Sequence, residues 1–239
     1  MSLRSSVTII ASPRPRVGKT LLARLLIDFH RHEGHPVAGY DLNSGEGTLT
    51  EFLPADTTAA AVGNVKGQMA LFDRLIAADG VAKVIDLGHE SFAPFFAVAD
   101  QIGFAAEANR QGIAVAILFL LTPDATSVEA YESLRRRSPG MLLSPVHNEI
   151  LGPAQYRGKY PIDQGGLLLR IPLLAPGLRK YVERPPFSFA GDNPASGAVV
   201  PGDAQIELQH WLRRVHVEFR EFGLRLLLAD LQSAIRIES

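Results

Sequence analysis

Apolar positions along this chain fall into two alternating kinds of segment. Short aliphatic and β-branched runs recur at Val7–Ala11, Val37–Leu42, Ala82–Leu87, Ile113–Leu121, Met141–Val146 and Leu167–Ile171. Such runs are expected of strands covered on both faces. Between them the period changes. Leu21, Leu22, Leu25, Leu26 and Phe29 recur at helical spacing up to a stop at Gly34, and Met69, Phe72, Leu75 and Ile76 mark a second helix ending near Ala78. Ser91–Gln111 reads as helix interrupted or started at Pro94, and Ser127–Arg137 as another, whereas residues 54–65 are small and weakly patterned. Six or seven strands alternating with helices predict an α/β fold with a mostly parallel sheet and helices on both faces.

The last quarter of the chain changes character. Four prolines and three glycines within residues 185–203 mark a loop or linker. From Ala204 to Ile237 the pattern is again helical. Leu208, Leu212, Val215, Phe219, Phe222 and Leu226 alternate spacings of four and three, an apolar seam expected to pack on the protein's own sheet. The expected organisation is a core over residues 1–185, a Pro/Gly-rich loop over 186–203, and a long C-terminal helix over 204–239 packed on that core.

Composition narrows the function. With 239 residues, 46% hydrophobic, the chain can bury a substantial core. A net charge of −1 gives no global attraction for nucleic acid or an anionic membrane, so any such contact needs a local patch. Cysteine is absent, which excludes disulfides and cysteine-ligated metal centres and fits a reducing compartment. The first apolar stretch is too short for a signal peptide, and the longest, Ile113–Leu121, is far short of the ~20 residues that span a bilayer. A cytoplasmic protein without stable membrane insertion is expected.

The candidate chemistry sits early. Ser12-Pro13-Arg14-Pro15-Arg16-Val17-Gly18-Lys19-Thr20 joins the first strand to the first helix. A phosphate-binding loop occupies that position in P-loop proteins, because the first turn of a helix has unpaired N–H groups and a partial positive charge. Lys19 would reach the terminal phosphates, the amides of Val17, Gly18, Lys19 and Thr20 would wrap the β-phosphate, and the Thr20 hydroxyl would take Mg²⁺. Only the second half of GxxxxGK[ST] is intact, since Pro13 replaces its first glycine. Asp86, ending the strand Ala82–Leu87, has the form of a second Mg²⁺-side residue, and Asp41 could orient an attacking water.

In these three elements the chain resembles the ParA/MinD family of partition and positioning ATPases over roughly residues 6–185. The family loop reads KGGxGK[ST]. Here Arg14 stands at its signature lysine and both inner glycines are replaced, by Pro15 and Arg16. Val37–Asp41 looks like the strand ending in its DxD-type motif, with Asn43 at the second acidic position, and Leu120-Leu121-Thr122-Pro123-Asp124 with Ser127 looks like its P-x-x-x-S segment. The resemblance implies ATP and Mg²⁺ as cofactors, a homodimer formed on ATP binding with Arg14 reaching across it, and adenine contacts at Asn148 and Pro172. It further implies a switch that positions or segregates DNA or another cargo under a regulatory protein. Pro15 lacks an N–H and Arg16 crowds a position usually left bare for close phosphate approach, so reduced affinity or turnover is expected.

Two alternatives share these residues. A ligase resembling dethiobiotin synthetase has the same fold and a loop ending VGKT, although Asp41 stands where that family has a lysine. The other is a nucleotide-binding scaffold without hydrolysis. Of the remaining candidates, His30, His32 and His35 read as a solvated helix end, and His89 with Glu90 as a polar strand-end loop, the alternative being a place beside a bound nucleotide. Arg135-Arg136-Arg137 would form a non-specific DNA surface with Arg213, Arg214, Arg220 and Arg225 if the last helix lies alongside. Within Leu224–Ile237 only Arg225 and Arg236 are basic, opposed by Asp230 and the adjoining Glu238, which favours packing over membrane contact.

Overall fold

The computed structural model describes residues 5–138, 140–153, 159–162, 167–191 and 200–237, with side chains described as far as residue 229. Seven strands form one sheet: β1 (Ser6–Ala11), β2 (Val37–Asp41), β3 (Thr57–Ala59), β4 (Ala82–Asp86), β5 (Ala114–Leu120), β6 (Leu142–Asn148) and β7 (Leu169–Ile171). Every pairing is parallel, in the order β3-β2-β4-β1-β5-β6-β7. The helices are α1 (Lys19–His32), α2 (Leu49–Phe52), α3 (Val65–Leu75), α4 (Phe92–Gln101), α5 (Phe104–Arg110), α6 (Ala125–Arg137), α7 (Pro176–Val182) and α8 (Gly202–Ile237).

Alternation along the strands splits the core in two. Ile9, Ile85, Ile117 and Phe119 face α3, α4, α5 and α6, whereas Ile10, Val84, Ala116 and Leu118 face α1, α2, α7 and α8. The connection after β1 therefore leaves to one face and those after its two neighbours, β4 and β5, to the other. That divergence opens a crevice at the carboxyl end of β1, where ligands gather in open parallel sheets.

Several expectations change in detail. The seventh strand, β3, lies in the stretch that carries no pattern, because a three-residue edge strand has too few positions to alternate. The segment 91–111 is two helices. Pro94 sits in the first turn of α4, where its missing N–H costs nothing, and the break comes at Gly103, whose φ of 66° is left-handed.

The α8 seam is buried at Leu208, Trp211, Val215, Phe219 and Phe222, with Leu212 only half-buried, so Trp211 is the deep anchor. Its indole Nε1 donates to the Pro172 carbonyl at 2.9 Å. Beyond it Leu226 is still half-buried against the same cluster, whereas Leu224, Leu227 and Leu228 are exposed, and the side chains from residue 230 onward fall outside the description. Among the described residues no helix is long and apolar enough to cross a membrane.

The composite arginine surface does not form. Tyr131 and Leu134 place α6 on one face of the sheet and Trp211 and Phe219 place α8 on the other, so Arg135–Arg137 and the α8 arginines lie on opposite sides. Several are also paired within the chain, Arg137 with Asp100, Arg220 with Glu33 and Arg225 with Glu221. His30 is half-buried rather than solvated, its ring packed beside those of Phe29 and His35. Its Nδ1 is closed off without a partner, and burial beside His35 lowers its pKa to about 4.

Candidate functional site

The loop between β1 and α1 is shaped by two left-handed residues. Gly18, with φ 96°, forms the N-cap of α1, and Arg16 has φ 58°. An added Cβ on Gly18 would collide with Asn148 Nδ2. Asn148 ends β6 and is buried beneath the loop, where its amide donates to the Val17 carbonyl at 3.0 Å and its oxygen accepts from Ile150 N at 3.2 Å. Asn148 thus supports the loop from below, while Val17 is buried against the α1 face of the core.

Lys19, Thr20 and Asp86 come together at the crevice. Lys19 Nζ donates to the Arg14 carbonyl at 2.7 Å, which folds its ammonium back over the loop. Its pKa is lowered by burial, with Asp86 opposing the shift. Thr20 Oγ1 donates to Asp86 Oδ2 at 2.7 Å, and Asp86 Oδ1 is buried without a partner. Burial and the neighbouring Asp41 push Asp86 up to about 7, against the Thr20 hydrogen bond and Lys19. A hydroxyl and a carboxylate with an orphaned oxygen form an all-oxygen donor set that fits Mg²⁺. Thr20 and Asp86 would hold it, and a bound cation would neutralise phosphate charge there.

Asp41 stands opposite Asp86 in the β2–β4 register. Its Oδ1 accepts from Asn43 N and Nδ2, both at 3.0 Å, and its Oδ2 from Thr50 N at 2.8 Å and Thr50 Oγ1 at 3.0 Å. With four hydrogen bonds it ties the loop after β2 to the start of α2. Arg14 turns away from the crevice to Asp124, the N-cap of α6, donating from Nε at 2.8 Å and also from Nη2. That contact holds the Asp124 carboxyl well below the usual carboxylate range.

Two cavities meet at the loop. The polar one, about 400 Å³, is lined by Pro15, Lys19, Asn43, Ser44, Glu46 and His89 among others. The apolar one, about 320 Å³, is lined by Leu21, Phe52, Asn148, Ile150, Leu174 and Val182 among others. Arg16, Gly18, Thr20 and Gly47 belong to both. Pro172 is buried with its carbonyl engaged by Trp211, and Leu174, two residues on, reaches the apolar cavity. Glu90 accepts from Ser44 Oγ at 2.9 Å, which tethers the loop carrying His89 to the loop after β2.

Arg24, on the same face of α1 as Thr20, walls the apolar cavity and has no signal in the sequence. Its Nη2 donates to the Val182 carbonyl at 2.8 Å and more weakly to that of Phe187, and its guanidinium lies 3.6 Å from the Phe52 ring centroid. Burial lowers its pKa to about 9. With Asp28, which accepts from Ser188 Oγ and Phe189 N, it straps residues 182–189 to α1. Among the described residues no cluster of three or more metal-ligating histidine, aspartate or glutamate side chains occurs, the triplet at His30, His32 and His35 included.

No family model matches the chain, and no curated protein matches it. Solved structures that match the chain at low identity include the MinC:MinD cell division protein complex of Aquifex aeolicus, at 15% identity and a TM-score of 0.49 over 88% of this chain and 95% of that one. The MinD cell division protein of the same organism matches at 15% identity and 0.47, covering 88% and 96%. FtsY from Mycoplasma mycoides matches at 10% identity and 0.40, covering 92% and 68%.

Proposed function

We propose that this chain is a nucleotide-dependent switch of the ParA/MinD kind, binding ATP with Mg²⁺ and dimerising in that state to position DNA or another cargo. One observation carries the reading: Lys19 and Thr20 line a polar cavity that continues into an apolar one, and directly behind Thr20 lies its hydrogen-bond partner Asp86 with one oxygen orphaned. A triphosphate needs the first cavity and a purine the second. Lys19 neutralises the terminal phosphates, the amides of Val17 to Thr20 bind the bridging oxygens, and Thr20 with Asp86 holds the cation. Asn148 supports the base side, with Leu174 supplying apolar wall near Pro172.

Arg14 would have to leave Asp124 to reach a partner's phosphates, so on this reading dimerisation trades one ion pair for another. A DNA contact would use one face of the molecule, not α6 and α8 together. A regulatory protein remains part of the proposal through the family resemblance alone.

Asp41 favours a second reading, binding without hydrolysis. Both its oxygens are occupied by Asn43 and Thr50, so orienting a water requires the loop after β2 to rearrange. Calorimetric titration of ATP with and without Mg²⁺, together with phosphate release, separates the readings. Wild type is expected to bind Mg²⁺–ATP and Lys19→Ala to lose at least 100-fold in affinity; unchanged affinity in the variant removes the basis of both. Binding with no release of phosphate selects the scaffold.

A further inference from the structure

Three cationic side chains belong to the loop, and two are already engaged. Arg14 is held by Asp124 and Lys19 by the Arg14 carbonyl. Arg16 is exposed and makes no hydrogen bond or ion pair with the described residues, yet it stands where both cavities meet. It is also the only residue other than glycine with a positive φ among those described. The loop thus keeps a turn that glycine makes without strain, and a long charged side chain occupies it. Strain of this kind persists where the side chain has a use, and the position of the outlier says where to look.

We propose that Arg16 is a phosphate-binding residue of the nucleotide site. Its guanidinium closes from its own chain over the stretch of a bound nucleoside di- or triphosphate that passes from the polar cavity to the apolar one. The inference rests on the nucleotide reading and adds a residue to it. The chemistry fits. A guanidinium is always charged and offers a planar fork of donors to phosphate oxygens. The acidic groups lining the two cavities are Glu46 on the polar side and Glu183 on the apolar side, neither of them hydrogen-bonded to Arg16. A phosphate chain between them is the acceptor that the guanidinium lacks.

The test is titration of Mg²⁺–ADP and Mg²⁺–ATP into wild type, Arg16→Gly, Arg16→Ala and Arg16→Lys at two salt concentrations. Glycine keeps the left-handed turn and lysine keeps the charge, so the set separates loop shape from electrostatics. Arg16→Gly and Arg16→Ala are expected to bind both nucleotides at least tenfold more weakly, with a flatter salt dependence, and Arg16→Lys to fall between. Thermal melts of the free variants check that they are folded, and the loss should not vary with protein concentration. Wild-type affinity and salt dependence in Arg16→Gly and Arg16→Ala overturn the proposal; if Lys19→Ala still loses binding, the nucleotide reading survives it. A loss that appears only at concentrations where wild type dimerises places the contact on the partner's nucleotide and overturns the own-chain assignment. If wild type binds neither nucleotide, the nucleotide reading fails and Arg16 with it.

Discussion

Gly18→Ala is the substitution that most directly tests the loop's geometry. Two costs add. The backbone at φ 96° and ψ 22° is left-handed, which costs a residue with a Cβ about 1–2 kcal/mol. The new methyl also meets Asn148 Nδ2, and Asn148 cannot yield freely because it is buried and bonded at both ends, to Val17 O and Ile150 N. Displacing it leaves the buried Val17 carbonyl and the partly buried Ile150 N–H unpaired, at about 1–3 kcal/mol for the first and less for the second, reduced by whatever relaxation follows. A total of about 3–5 kcal/mol is expected, or a fall in Tm of roughly 10 °C for a chain of this size. Urea unfolding followed through the single tryptophan, Trp211, measures it. The double-mutant cycle with Asn148→Ala is decisive. Without the amide in the way, Gly18→Ala should cost only the ~1–2 kcal/mol of backbone strain. An equal cost in both backgrounds would refute the claim that Asn148 buttresses the loop, and a cost below ~1 kcal/mol in wild type would refute the left-handed turn itself.

Two further predictions concern α8 and pH. Phe219→Ala, at a fully buried seam position, should destabilise by about 3–5 kcal/mol, whereas Leu224→Ala, only five residues on but exposed, should stay within ~0.5 kcal/mol; equal effects in urea unfolding would mean that the seam extends further than described. His30 is held neutral in the fold, with its pKa near 4, while in the unfolded chain it takes up a proton near 6.5. The native state therefore loses stability as pH falls from about 6.5 to about 4, by roughly 2–3 kcal/mol, and keeps it in full above that window. Asp86, whose pKa is raised, works in the opposite sense, so the quantity to measure is wild type minus His30→Gln across that range; a flat difference would refute the assignment.

How much of this was legible in the sequence depended on how local each cause is. β1, the loop and α1 could be read because strand burial on both faces leaves an uninterrupted apolar run and because Gly18-Lys19-Thr20 sits at its end. Asp86 was legible for the same reason, as an aspartate closing a fully buried strand. The bond between Arg14 and Asp124 joins residues 110 positions apart, and nothing near Arg14 announces it. The pairing of Asp41 with Thr50 depends on α2, a four-residue helix too short to leave a periodic signature. Trp211 against Leu212 was a matter of phase: both fit a seam of fours and threes, and only the way α8 packs against β7 and its neighbours decides which goes deep. The arginine surface failed because a charge run carries no information about which side of a sheet its helix will occupy.

That division of the core by the sheet also governs how the protein can change. Phe72, Phe95 and Phe104 on one side share no cluster with Leu22, Phe52 and Trp211 on the other. Substitutions on opposite sides should therefore add, because distant sites without common partners do not couple. The α3–α6 side can be rewritten by drift or by design with little news reaching α1, provided the strands keep their register. The α1–α8 side has no such freedom, since Arg24 and Asn148 border the apolar cavity and the long last helix packs into the same hydrophobic cluster as its lining residues Leu174 and Val182. Variation should accumulate unevenly, generously behind the sheet and sparingly in front of it.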